Sequence, residues 1–133
     1  MLRRILPILP ILLTTLCATA QAAEPQAATP QGTPLVIEVK LDSYTIKPDK
    51  ITVKAGQPVT FKIKNEASFI PHNLVIKAPQ AGVEVKVDVG AGKSGEVSFM
   101  PTQAGSYEIM CDKSPPIGKS HKEKGMHGTL VVE

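Results

Sequence analysis

Beyond residue 34 the sequence alternates apolar and polar side chains with a period of two, and no helical period of 3.6 competes with it. Leu35, Ile37, Val39 and Leu41 fall on one face, and Val36, Glu38 and Lys40 on the other. Val59, Phe61 and Ile63 alternate with Thr60, Lys62 and Lys64; Val83, Val85, Val87 and Val89 alternate with Glu84, Lys86 and Asp88. Ile51 and Val53 read the same way, and further strands are expected at 68–76, 95–100, 106–111 and 129–133. Successive side chains of a strand point to opposite sides, so each run can bury one face. The turn-rich pieces KAGQP, KAPQAG, GAGKSG and PTQAG separate the runs. Short strands at this spacing predict an all-β chain, an antiparallel sandwich or barrel of about seven to eight strands. Outward lysines would guard its edges against pairing with other chains.

Residues 1–22, MLRRILPILPILLTTLCATAQA, read differently. Arg3 and Arg4 precede the apolar run from Ile5 to Leu13, and Ala20 and Ala22 form an A-x-A site, the pattern of a cleaved secretory signal peptide. The apolar run is interrupted by Pro7 and Pro10 and is shorter than the roughly 20 residues a membrane span needs. Residues 23–34, rich in Ala, Pro and Gln, read as a flexible tail, which leaves 35–133 for one domain with one core. Cleavage would leave 13 lysines against 12 acidic residues, and so no basic excess of the kind nucleic-acid binding requires. It would also remove Cys17 and leave Cys111 alone in an exported, oxidising setting. A lone thiol there is buried and inert, bonded to another chain, or held as a metal thiolate.

What surrounds Cys111 bears on that choice. Alternation along SYEIMC puts Tyr107, Ile109 and Cys111 on one face, with Cys111 where the strand gives way to a lysine-rich loop. That loop carries His121 and Met126, and the remote stretch FIPHNLVI supplies His72. Two imidazoles, a thiolate and a thioether form a donor set suited to copper, trigonal His₂Cys with a weak axial Met. Taken singly, Cys111 reads as a small buried hydrophobe, His72 as a sheet histidine and Met126 as a packing residue. His127 could stand in for His121.

The sequence resembles the cupredoxins, the small blue copper proteins related to plastocyanin, azurin and pseudoazurin. The resemblance covers most of 35–133 and rests on PHN at 71–73, on F-x-P-x-x-A-G-x-Y-x-x-x-C from Phe99 to Cys111, and on H-x-x-x-G-M-x-G-x-L-x-V from His121 to Val132. It implies a Greek-key β-sandwich in which His72, Cys111, His121 and Met126 bind one copper ion per chain. It also implies that Asn73 ties the two ligand-bearing segments together. The sequence departs from the family pattern between Cys111 and His121, where DKSPPIGKS makes an unusually long interval. A more open or more tetragonal site is one expected consequence.

The expected function is a periplasmic one-electron carrier, monomeric and not an enzyme, that exchanges electrons with a cytochrome or oxidase. An apolar patch of Ile70, Pro71, Pro115, Pro116, Ile117 and Met126, with Lys113, Lys119, Lys122 and Lys124 steering an acidic partner, would serve as the docking face. The alternative is periplasmic copper binding or delivery, with copper passed to an acceptor. A metal-free sandwich kept for partner binding is a third reading.

Overall fold

The computed structural model describes Pro30 and residues 32–133. The expected signal peptide and most of the expected tail lie outside those residues. Among these residues nine strands form two sheets: β1 (Leu35–Asp42), β2 (Thr45–Lys47), β3 (Lys50–Val53), β4 (Val59–Asn65), β5 (His72–Ala78), β6 (Val83–Val89), β7 (Ser94–Phe99), β8 (Gly105–Met110) and β9 (His127–Val132). The first sheet runs β2-β1-β4-β7 and the second β3-β9-β8-β5-β6. The only helical pieces among the described residues are two one-turn 3-10 helices, at Pro79–Ala81 and Lys122–Lys124.

The inward residues of both sheets make one core. Val39 and Leu41 of β1, Phe61 and Ile63 of β4, Leu74 and Ile76 of β5, Ile109 of β8 and Leu130 of β9 are all buried. Each buried aliphatic or aromatic side chain of this size contributes about 1.5–3 kcal/mol relative to exposure. Phe61 meets Phe99 edge to face at 5.0 Å between centroids, an arrangement the ring quadrupoles favour.

Three features differ from expectation. Among the described residues there are nine strands where about seven to eight are expected, because β2 is three residues long, with only Ile46 buried, too short for alternation to show. The sheets are mixed: β1 pairs with β4, and β3 with β9, in parallel. Alternation reports which face is buried and is silent on strand direction. The strand expected from residue 68 begins at His72, since Pro71 has no N–H to give a ladder. The segment before it is instead a turn held by Asn65, whose amide donates to the carbonyls of Ile70 (2.9 Å) and Val89 (3.0 Å) and accepts from Ala67 N (3.0 Å).

Candidate metal centre

The second sheet brings His72, Cys111 and Met126 to one end of the sandwich. His72 opens β5, Cys111 follows the last residue of β8, and Met126 precedes the first of β9. Cys111 is fully buried, its N–H donates to the Met126 carbonyl at 3.1 Å, and its Sγ accepts from Asn73 N at 3.4 Å. These bonds fix both the backbone and the sulfur of Cys111 against its two neighbouring segments.

His121 comes from the loop, and local polar chemistry sets its position. Ser120 and Glu123 form a reciprocal cap: Ser120 N and Oγ each donate to Glu123 Oε2 at 2.7 Å, and Glu123 N donates to Ser120 Oγ at 3.2 Å. This S-x-x-E pattern starts a helical turn, with His121 itself at φ −62°, ψ −37°. Gly125 closes the turn at φ +102°, a conformation that suits glycine, and donates to Lys122 O at 2.9 Å. Met126 N then donates to His121 O at 3.1 Å. The long interval after Cys111 is pinched at its base, where His121 N donates to Lys113 O at 2.9 Å.

The result is a compact triangle of donors. Nδ1 of His72 lies 3.2 Å from Nδ1 of His121, and Cys111 Sγ lies 3.5 Å from the latter and 4.0 Å from the former. The point equidistant from three atoms so spaced is about 2.1 Å from each, the length of a metal bond to imidazole nitrogen and near that to thiolate sulfur. Two imidazole lone pairs at 3.2 Å repel unless a proton or a cation lies between them. Burial, His121 and Lys113 hold His72 down to about 4, against the opposing pull of Asp42. Burial, with Lys124 and Lys113, also lowers His121. Both rings are therefore neutral near pH 7, the state that binds metal. Nε2 of His72 is buried without a hydrogen-bond partner among the described residues. The donor set and its spacing thus fit a copper ion, and Met126 is fully buried with its backbone bonded to Cys111 and His121. His127 is not in the cluster; it is exposed and sits opposite Met110 across β8 and β9.

A set of outer bonds ties the donor segments down. Asn73 Nδ2 donates to Asp112 Oδ1 at 2.6 Å and Asp112 N donates to Asn73 Oδ1 at 3.0 Å, linking the residues next to His72 and Cys111. Lys86 reaches the other carboxylate oxygen of Asp112 at 3.0 Å, and Lys113 pairs with Asp88 at 2.7 Å. The bonds to Asn73 and Lys86 hold the Asp112 carboxyl below its ordinary range.

The expected docking face is altered in two ways. Met126 is buried and does not join the patch, whereas Phe69 and Ile117 are each 91% exposed. A cleft lined by Ile70, Pro71, Lys113, Ser114, Pro115 and His121 opens above the donors, and His121 is only 7% exposed at its floor. Lys113 and Lys122 are engaged by Asp88 and Glu108, so with Lys86 included the face carries five lysines against four carboxylates, nearly balanced. Tyr44, which nothing in the sequence singles out, stands edge-on to both imidazoles. A single aromatic in a turn gives no sequence signal of such a role, whereas SHKE at 120–123 is a legible cap.

Comparison with known proteins agrees with this geometry. Residues 7–132 match the family model described as a cupredoxin-like domain. The chain is 32% identical over 139 aligned positions to the copper-resistant cuproprotein CopI of Rubrivivax gelatinosus, covering 86% of this chain and 81% of that protein. Reduced auracyanin from Roseiflexus castenholzii superposes with a TM-score of 0.61 at 23% identity, covering 77% of this chain and 99% of that one. Auracyanin A, a blue copper protein of Chloroflexus aurantiacus, gives 0.61 at 24% identity over 76% and 100%.

Proposed function

Because the chain belongs to the cupredoxin-like family, we propose that it is an extracytoplasmic copper protein that carries single electrons through a site made by His72, Cys111 and His121, with Met126 as a weak fourth donor. The observation that carries this reading is the donor triangle, whose centre is a bond length from all three atoms. Copper bound there supplies a one-electron couple between Cu(I) and Cu(II). The chain's own part is to hold the donors. Cys111 is fixed through its N–H by Met126 and through its sulfur by the Asn73 N–H, His121 by the Ser120–Glu123 cap, and His72 by the start of β5. The buried setting excludes water from the cysteine and from His72, leaving His121 as the donor nearest solvent. Electron exchange with a cytochrome or oxidase through the cleft beside Ile70, Pro71 and Pro115 fits that asymmetry. The near balance of charge around it favours apolar contact over lysine steering.

The likeness to a copper-resistant cuproprotein supports a second reading, periplasmic copper binding or delivery to an acceptor. The pinched base of the loop favours the carrier, since it preserves the triangle despite nine intervening residues. Repeated reduction and reoxidation in the presence of a Cu(I) chelator separates the two. A carrier keeps its ion over many cycles, and loss of the ion in the first reduction would establish delivery instead.

A further inference from the structure

Tyr44 is unusual on two independent counts. It is the one residue other than glycine with positive φ among the described residues, at +63°, where Cβ crowds the backbone and bulky side chains are rare. Its ring also stands against both imidazoles, 5.1 Å from His121 at 74° and 6.2 Å from His72 at 81°. The Lys124 ammonium lies 4.2 Å from the same ring's centroid, within cation–π range. Tyr44 belongs to the turn between β1 and β2 in the first sheet, and Lys124 to the 3-10 turn that follows His121. The stack therefore joins the sheet that holds no donors to the loop that holds one.

Strained backbone persists where its surroundings over-determine it, and such positions gather at functional sites. Glycine or asparagine would occupy this turn at less conformational cost. What tyrosine adds is the ring and what the ring touches. His121 sits on a single helical turn with exposed chain on one side, so a contact from across the sandwich restrains it where its own segment is short.

We propose that Tyr44, gripped by Lys124, is a positioning residue that keeps the His121 turn closed on the donor triangle and so sets how fast a bound copper ion escapes. This rests on the copper reading above and extends it from which atoms bind to what holds them shut. The test is stopped-flow transfer of Cu(I) from the copper-loaded full chain to a chelator, with the melting temperature of the copper-free protein recorded alongside. Tyr44→Gly relieves the strained backbone while deleting the ring. It is expected to release copper about three- to tenfold faster, and the copper-free melting temperature reads separately the packing the ring makes against the core. Lys124→Met is expected to speed release about two- to fivefold, and Tyr44→Phe, which keeps the ring, to match the parent. Equal rates for Tyr44→Gly and the parent, or a Tyr44→Phe rate as fast as Tyr44→Gly, would overturn this inference alone. A parent protein that takes up no copper overturns the copper reading and this inference with it.

Discussion

The two ends of the sandwich are closed by different chemistry. At the end away from the donors, main-chain groups satisfy one another: Gly56 N donates to Pro101 O at 2.7 Å, Thr102 N to Ala81 O at 2.8 Å, and Leu35 N to Pro58 O at 2.9 Å. At the donor end, side chains do much of the work, through Asn65, Asn73, Asp112, Ser120 and Glu123. That end also buries two imidazoles, one with a nitrogen that has no hydrogen-bond partner among the described residues. One end is built to fold, and the other accepts instability to hold a group of donors together.

The largest effect that sharpens this contrast is acid sensitivity of the copper-free protein. His72 has its pKa lowered to about 4 by burial, with smaller contributions from His121 and Lys113. The unfolded chain therefore binds this proton more tightly than the folded one. The resulting stability is complete above about pH 6.5 and is lost as pH falls toward 4, by about 3 kcal/mol in all. Urea titrations at stepped pH would show it, and a flat profile across that window would contradict the buried imidazole. Asn65→Ala comes next. It leaves the carbonyls of Ile70 and Val89 and the N–H of Ala67 without the amide, and should cost about 2 kcal/mol in denaturant melts. It should also weaken copper retention, because the turn it fixes leads directly into His72.

Gly56→Ala probes the opposite end. Gly56 has φ +79°, and a methyl group on its Cα would meet no other atom within 4 Å, so only backbone strain opposes the change, about 1 kcal/mol. Melting should fall slightly while the copper spectrum stays the same, and a spectral change would break the division between ends. The smallest effect is expected at Lys122→Ala, which removes an ion pair with Glu108 whose partners are both nearly half exposed. Exposed pairs of this kind contribute less than about 1 kcal/mol, so a near-unchanged melting curve is expected at moderate salt.

Much of the fold is legible in the sequence because burial on one face imposes alternation. Val39 and Leu41, Phe61 and Ile63, and Val83 and Val85 all point inward as their spacing requires. Strand direction is not legible, since β1 beside β4 has the same pattern in parallel as it would antiparallel. The convergence of Cys111, His72 and His121 can be read from donor chemistry and a loop that returns. The family resemblance already points to His121; that His127 lies outside the donor cluster is seen only in three dimensions, where it pairs across the strands and is exposed. Tyr44 and Lys124 are 80 positions apart in the sequence, and nothing local to either announces their contact.

Whether one sulfur and two imidazoles meet on a single copper ion is tested most directly by visible absorption on addition of Cu(II) to the purified protein. The parent should take up about one ion per chain with an intense sulfur-to-copper band, and Cys111→Ser should lose that band and most of the uptake. Stoichiometric copper held without the band, or held equally well by Cys111→Ser, would contradict the account.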